Sequence, residues 1–137
     1  MTMTKNTKLF AAAKKIAKNA YSPYSKCKVG AAILSSKGKI YSGCNVENAT
    51  YGATVCAERN AVAAMIAAGE VEIAAVAVST KDGWQPCGIC RQVLAEFITN
   101  PRKVPVHILS NKGLVGQYTL AELLPSAFAK KSLLNKK

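Results

Sequence analysis

The sequence predicts a single α/β domain over residues 1–137, in which helices cover a mixed β-sheet. Segments with helical periodicity alternate with strand-like segments in the order α-β-β-α-β-α-β-β-α. Half of the residues are apolar, which is enough to build a substantial core and argues against disorder. The chain contains neither an internal repeat nor a segment that resembles a linker, so it offers no boundary between two domains.

The first half of the chain predicts a helix, a hairpin and a second helix. The first helix is indicated by apolar residues at helical spacing, namely Leu9, Phe10, Ala13, Ile16, Ala17 and Ala20. The segments "VGAAILSS" and "KIYSGCNVEN" flank Lys37 and Gly38, a pair suited to the turn of a β-hairpin. An alanine-rich helix is then predicted from about Thr54 to Ala68, ending at Gly69.

The second half predicts three strands and two helices. The nearly continuous apolar run "EIAAVAVST" is typical of a strand covered on both faces. A helix over "CGICRQVLAEFIT" follows, and then the strand "KVPVHILS", in which we expect the single histidine, His107, to be half-buried. The turn "NKG" leads into a strand over "LVGQYT", and "LAELLPSAF" predicts a short helix that ends near Pro125.

The formal charge of +12 lies mostly at the two ends of the chain. Residues 1–19 hold five lysines, residues 126–137 hold four, and neither segment holds an acid. Basic ends attract nucleic acid or anionic surfaces, but no aromatic or arginine-rich pattern accompanies these lysines, so we expect solvated ends and no nucleic-acid partner. No apolar run approaches the roughly 18 residues of a membrane span, and no targeting signal is evident, which favours the cytoplasm.

The five cysteines favour a metal site over a disulfide framework, because their number is odd and no secretory signal accompanies them. Cys87 and Cys90 are three apart at the start of a helix, a spacing that lets two sulfurs grip one ion. A lone CxxC pair is equally consistent with redox chemistry. Cys56, also near a helix start, supplies a third thiolate, and three thiolates favour zinc.

Glu58 gives this predicted site a catalytic character. Three protein ligands leave a fourth position for water, as in catalytic zinc sites. Glu58 follows Cys56 by two residues and can therefore reach that water and move its proton without binding the metal. In the alternative interpretation, Cys56 is a small buried helix residue and Glu58 is an ordinary surface charge.

The segments Cys56-Ala57-Glu58 and "PCGIC" (86–90) match the three-cysteine form of the zinc-deaminase signature. The blocks "SPYSKCKVGAA", "GCNVENATYG", "VCAERNA", "PCGICRQVLAEF" and "AELLPSAF" resemble, in order and over nearly the whole chain, the small homotetrameric zinc-dependent cytidine deaminases. The resemblance implies a three-layer α/β/α cytidine-deaminase-like domain with a mixed five-stranded sheet. It also implies one Zn²⁺ per chain and hydrolytic deamination of cytidine or deoxycytidine, with release of ammonia.

The resemblance also assigns roles to individual residues. Asn45 and Glu47 are implied to bind the ribose hydroxyls, although "NVEN" alone is typical of a turn at a strand end. The backbone around Ala57 is implied to contact the base. Arg59 is implied to offset the surplus negative charge of three thiolates on a dication, with Arg91 as a second candidate. Either arginine can instead pair with a surface acid.

A second group of residues is implied to act at subunit borders. Ala49, Tyr51 and Phe128 match positions that reach into a neighbouring subunit's pocket in the homotetramers, whereas Phe128 judged alone is more typical of core. Cys27 stands where these enzymes commonly have an aromatic residue that packs on the pyrimidine. Because cysteine offers a smaller contact, this position leaves the exact substrate open.

Three functions are therefore open at the level of sequence. The first is a deaminase of free nucleosides. The second is deamination of a modified or N4-substituted cytidine, or of a cytosine-nucleoside antibiotic, which Cys27 leaves room for. The third is a nucleic-acid-binding protein with a structural zinc, which the basic ends support and Glu58 opposes.

Overall fold

The computed structural model describes residues 4–134, so Lys136 and Lys137 of the basic C-terminal end lie outside the described residues. The first half of the chain forms α1 (Lys5–Ala17), β1 (Gly30–Ser35), β2 (Ile40–Cys44), a 3₁₀ turn (Tyr51–Ala53) and α2 (Ala57–Ala67). The second half forms β3 (Ile73–Ser79), α3 (Gly88–Glu96), β4 (Pro105–Ser110), β5 (Gly113–Thr119), α4 (Leu120–Leu123) and α5 (Lys130–Leu134).

The five strands form one mixed sheet in the order β2-β1-β3-β4-β5. Strands β3 and β4 are parallel, and the other three pairs are antiparallel. The predicted hairpin is present, with Gly38 in the left-handed region (φ 86°) that its turn requires. β3 lies at the centre of the sheet, which explains why its sequence is a continuous apolar run.

Helices cover both faces of the sheet, because successive strand residues point to opposite sides. Ala32 and Leu34 of β1 pack with Leu9 and Ala13 of α1 on one face. Alternate strand residues pack on the other face with α2, α3 and α4, in a cluster that includes Ala31, Ile33, Ala61, Met65, Leu94 and Leu120. This arrangement confirms the predicted three-layer α/β/α fold.

A close approach between β2 and α2 fixes the position of the second helix. A Cβ atom on Gly43 would lie 2.4 Å from the backbone nitrogen of Ala61, so only glycine permits this packing. The side-chain amide of Asn60 donates to the carbonyl of Cys44 at 2.8 Å and ties the same two elements together. The N-terminus of α2 is thereby held at one edge of the sheet.

The structure differs from the prediction in where α2 begins. The helix starts at Ala57 rather than near Thr54, because Val55 pairs in both directions with Val46 and keeps the chain extended up to Cys56. The short helix α5 was not predicted; none of its residues is buried, so no apolar periodicity marks it. The first difference arises from a strand contact that periodicity does not record, and the second from the lack of a buried face.

The prediction for His107 is wrong in degree, since the side chain is 2% exposed rather than half-buried. The ring of Phe10 on α1 packs edge-on against the imidazole with centroids 4.9 Å apart. Neither ring nitrogen has a hydrogen-bond partner among residues 4–134. Burial accordingly lowers the pKa of His107.

We expect His107 to make the fold sensitive to mild acid. The pKa of His107 is lower in the folded chain than in the unfolded chain. Above the unfolded pKa of about 6.5 the imidazole is neutral in both states, so its burial needs no proton to be released. As the pH falls below that value, the unfolded chain binds the proton more readily and stability is lost. Urea midpoints of the parent should therefore fall more steeply between pH 7.5 and 5.5 than those of His107→Leu. Parallel curves for the two proteins would contradict this assignment, and any acid release of metal is common to both.

Candidate active site

Three cysteine sulfurs converge where the N-termini of α2 and α3 meet. Cys56 is the N-cap of α2, Cys87 is the N-cap of α3, and Cys90 lies in the first turn of α3. All three sulfurs lie within 4.8 Å of one another, and those of Cys56 and Cys87 are 4.0 Å apart. Tetrahedral zinc with Zn–S bonds of about 2.3 Å places its sulfur ligands roughly 3.8 Å apart, so the donor set fits the ion.

The sulfur cluster favours negative charge on Cys56. Despite partial burial, the pKa of Cys56 is lowered to about 5, chiefly by the Cys90 thiol that donates to it, with smaller contributions from Arg59 and Cys87. The same contact, together with burial, raises the pKa of Cys90. One proton is thus shared between two sulfurs, and a bound dication would allow all three to ionise.

Arg59 lies beside the cluster, where the sequence places it. Its Nη2 atom is 3.7 Å from the sulfur of Cys56 and donates to the carbonyl of Thr54 at 3.3 Å. The contact with Cys56 raises the pKa of the guanidinium. This arginine supplies positive charge next to thiolates, as a three-cysteine site requires.

Arg91 does different work. Its Nε donates to the carbonyl of Pro86 at 2.8 Å, its Nη1 to the carbonyl of Leu123 at 2.7 Å, and its Nη2 to Gln85 at 3.2 Å. All three guanidinium nitrogens are therefore engaged by the segment before Cys87 and by the end of α4. Arg91 braces the loop that carries Cys87 rather than contacting the sulfurs.

Glu58 lies in the first turn of α2 and is 4% exposed. Burial raises the pKa of its carboxyl, and negative charge on Cys56 raises it further, while Arg59 acts in the opposite direction. The residue is therefore a buried carboxyl group beside the sulfur cluster, not the surface charge of the alternative interpretation. A raised pKa brings its protonation closer to neutral pH, as proton transfer requires.

Asn45 and Glu47 hold the loop that precedes β1. The Asn45 side chain accepts from the backbone N–H of Val29 and donates to the carbonyl of Cys27, both at 2.8 Å. The Glu47 carboxylate accepts from the N–H groups of Tyr24 and Ser25, at 3.0 and 3.1 Å, and from the Ser25 hydroxyl. These bonds lower the pKa of Glu47, chiefly through Ser25.

The remaining predicted residues lie at or near the surface. Ala49 is exposed, and the side chains of Tyr51 and Phe128 are 75% and 61% exposed, so Phe128 is not core. The backbone of Ala57 begins α2 directly beside Cys56, although its side chain is fully buried. Cys27 is half-buried, and its thiol donates to the carbonyl of Ser25 at 3.5 Å.

Residues 3–108 match the family model described as the cytidine and deoxycytidylate deaminase zinc-binding region. The chain belongs to this deaminase family. The match spans both cysteine segments, and together with the converging sulfurs it confirms the prediction of a zinc site. The predicted α/β fold and family are confirmed as well.

Individual deaminases resemble the chain over nearly its whole length. It is 46% identical over 128 residues to a cytidine deaminase of Sporosarcina psychrophila, covering 92% of this chain and 93% of the relative. The crystal structure of a cytidine deaminase from Burkholderia pseudomallei superposes with a TM-score of 0.84 at 43% identity, covering 92% and 100% of the two chains. The crystal structure of a cytidine deaminase from Mycobacterium tuberculosis superposes with a TM-score of 0.78 at 36% identity, covering 92% of this chain and 98% of that one.

Two features of this deaminase site are not visible in its sequence motifs. The hydroxyl of Ser25 links Glu47 to the backbone N–H of Cys27, and Arg91 fixes the loop before Cys87. Both residues lie within the "SPYSKCK" and "CGICRQ" blocks, but only the folded chain shows their partners. Within residues 4–134, no helix combines the length and apolar character needed to cross a membrane.

Proposed function

We propose that this chain catalyses the zinc-dependent hydrolytic deamination of cytidine and deoxycytidine, giving uridine and deoxyuridine with release of ammonia. The observation that carries the proposal is the buried carboxyl of Glu58 beside three converging sulfurs, in a chain of the deaminase family. A structural zinc site has no need of a buried carboxyl at that place, because closed sites use four protein ligands.

Cys56, Cys87 and Cys90 would hold the zinc ion, one per chain. When bound, zinc supplies a water nucleophile that is activated at neutral pH. Three thiolates on a dication leave one surplus negative charge, and Arg59 at 3.7 Å from the Cys56 sulfur offsets it. The backbone N–H of Cys90 donates to the Cys87 sulfur at 3.5 Å, and the positive ends of both helix dipoles favour thiolate at Cys56 and Cys87.

Glu58 moves the proton in this mechanism. Its carboxylate takes a proton from the attacking water and delivers it to N3 of the base as the water oxygen bonds to C4. It then takes the remaining proton from the oxygen now bonded to C4 and passes it to the amino group, so the C4–N bond breaks, the C4 oxygen becomes the carbonyl of uridine, and ammonia leaves. The raised pKa of Glu58 suits both directions of transfer, since the group must accept and release protons near neutral pH.

Asn45 and Glu47 would bind the ribose, and the backbone around Ala57 would contact the base. Each side chain is already fixed by bonds to the loop that carries Cys27, so little freedom remains to be lost when substrate binds. A carboxylate has about four lone-pair sites, which leaves Glu47 able to accept from a sugar hydroxyl as well.

We place the active form in a homotetramer with sites at the subunit borders. Ala49, Tyr51 and Phe128 match family positions that complete a neighbour's pocket, and all three are exposed here. Large aromatic side chains that are this exposed are more typical of a protein–protein interface than of a surface facing solvent. For the deamination itself, the partners we propose are the nucleoside substrate and further copies of the chain.

We also propose that residues 1–137 act as one domain in the cytoplasm. The proposal of one domain is supported by the sheet, which takes strands from both halves of the chain. All five cysteines are free thiols, as is usual in a reducing compartment.

A substrate screen tests the proposed function. Cytidine, deoxycytidine, an N4-acylated cytidine and a single-stranded polynucleotide are each supplied to the zinc-loaded protein, and product is followed by absorbance. We expect rapid conversion of the two free nucleosides and none of the polynucleotide. Turnover confined to the N4-acylated compound would favour the alternative substrate class, and turnover of none would refute the proposal.

Replacing Cys27 with phenylalanine should improve the use of cytidine. The ring restores an aromatic contact with the pyrimidine, worth about 0.5–1.5 kcal/mol, so kcat/KM should rise by up to about tenfold. The same change should impair an N4-acylated cytidine, which needs the space. Parallel measurement of kcat/KM for both compounds decides the matter, and equal ratios in the two proteins would show that Cys27 does not touch the substrate.

Subunit complementation tests the tetramer. Glu58→Gln and Phe128→Ala chains are each expected to be poorly active alone. In mixed tetramers, a Phe128→Ala subunit keeps Glu58 and receives Phe128 from its neighbour, so co-expression should recover part of the activity. Failure to recover any, or light scattering that shows a fully active monomer, would contradict the assignment.

A further inference from the structure

A cleft of about 680 Å³ opens beside the candidate active site, at the edge of the sheet where β3 and β4 end. It is lined by the last turn of α1, by residues 26–28, by the turn after β3 and by Ser110 and Asn111 after β4. None of the three zinc-site cysteines lines it, and neither does Glu58. Cys27, which we propose to contact the pyrimidine, does line it, so the cleft adjoins the proposed substrate pocket without including the sulfur cluster.

The cleft is strongly cationic. Five lysines line it against a single acid, Asp82; they are Lys14, Lys18, Lys26, Lys28 and Lys81. They come from three separate parts of the chain that only the fold brings together. The ammonium of Lys28 donates to the carbonyl of Lys18 at 3.2 Å, which joins two of these parts. A cleft with a formal excess of four positive charges is suited to a multiply charged anion.

The same cleft presents Trp84, the only tryptophan of the chain, with half of its side chain exposed. The turn that carries it is held in place, because the Thr80 hydroxyl accepts from the N–H groups of Gly83 and Trp84, each at 2.8 Å. Gly83 has φ 82°, the left-handed conformation that glycine adopts without strain. An aromatic face fixed beside lysines is the arrangement that binds a base by stacking and its phosphates by charge.

We propose that this cleft binds a nucleoside triphosphate, with the base against Trp84 and the phosphates among the lysines. A terminal phosphate carries only about −1.5 to −2 charges, so a monophosphate would leave the lysines undercompensated. The volume is within the roughly 300–1,000 Å³ of ligand pockets and suits one nucleotide. This binding function is separate from the proposed deamination and does not depend on it.

Trp84 is a built-in reporter for the test, because no other tryptophan contributes to the fluorescence. The zinc-loaded protein is titrated with ATP, which lacks cytosine and is therefore not a deamination substrate, at constant ionic strength. We expect saturable quenching by ATP, binding of inorganic triphosphate that is weaker by about fivefold or more because stacking is lost, and still weaker binding of adenosine. Absence of saturation would overturn the proposal.

Matched lysine variants distinguish binding at this cleft from nonspecific electrostatic attraction to the protein. Lys14→Gln/Lys81→Gln removes two charges from the cleft and should weaken ATP binding by about tenfold or more. Lys8→Gln/Lys37→Gln removes two exposed charges outside the cleft and should leave binding within about twofold. Both doubles should keep the parent's cytidine turnover, which verifies their fold. An equal loss in both would show that only net charge acts and would refute the site.

Two further measurements test alternative occupants of the cleft. Excess uridine should not displace ATP; displacement would show that ATP occupies the substrate pocket, which would overturn the separate site. A ten-residue oligothymidylate should bind no tighter than ATP. Tighter binding, with an affinity whose salt dependence indicates contacts to several phosphates, would assign the cleft to single-stranded nucleic acid instead.

Discussion

Glu58→Gln is expected to lower kcat for cytidine by at least about 10²–10⁴-fold, while zinc content and fold are retained. Glutamine keeps the size of the side chain and its place in the first turn of α2, but it cannot accept and release a proton. The loss acts on both proton transfers of the reaction. Turnover is measured at saturating cytidine, and zinc is measured on the same preparation.

Glu96→Gln provides the matched control, because Glu96 lies on α3 and is exposed. It removes the same charge from the neighbouring helix without touching the sulfur cluster, and its kcat should stay within about twofold of the parent, as for most surface substitutions. If Glu58→Gln also retained kcat within a few-fold, Glu58 would have no part in proton transfer.

Cys87→Ser is expected to reduce bound zinc to well below one equivalent per chain and to abolish turnover. Serine is itself a good N-cap, so the start of α3 is preserved and the loss is confined to the metal ligand. Because metal binding contributes to folding stability, the variant should also unfold at lower urea concentration than the parent.

Cys44→Ser serves as the control for thiol loss, since Cys44 ends β2 and is not one of the three converging sulfurs. It should keep one equivalent of zinc and most of the activity. Full zinc and full turnover in Cys87→Ser would exclude Cys87 as a ligand, and a loss of zinc in Cys44→Ser would require a different ligand set.

The metal cluster could be predicted from sequence because its geometry is set locally. Cys87 and Cys90 are held at their spacing by one helix start, and Cys56 and Glu58 share another. Only the convergence of the two helix N-termini depends on the fold, and the match to the deaminase signature predicted that convergence. The layer order could be predicted for a similar reason, because β3 is apolar on both faces and β1 alternates between two clusters.

Other features depend on long-range partners and could not be predicted. Arg91 finds the carbonyl of Leu123, thirty-two residues away, and no local pattern records that contact. The extent to which His107 is buried depends on the packing of Phe10, on α1, against its ring. The start of α2 was misplaced because the pairing of Val46 with Val55 overrides the helical tendency of the alanine-rich segment.

The cleft around Trp84 illustrates the same limit. Its five lysines are scattered in sequence between α1, the segment at 26–28 and the turn after β3, and they look like ordinary solvated charges when the sequence is scanned. The charge of the N-terminal end therefore has a specific location in the fold: Lys14 and Lys18 line the cleft beside Cys27.

A joint titration of zinc and turnover tests the central claim most directly. Protein stripped of metal by a chelator is supplied with increasing zinc, and bound zinc and the rate of cytidine deamination are measured on each sample. The proposed site predicts no turnover without metal and a linear rise that ends at one zinc per chain, with uridine and ammonia formed in equal amounts. Turnover by the stripped protein, or full occupancy without deamination of cytidine, would contradict the assignment of a zinc-dependent cytidine deaminase.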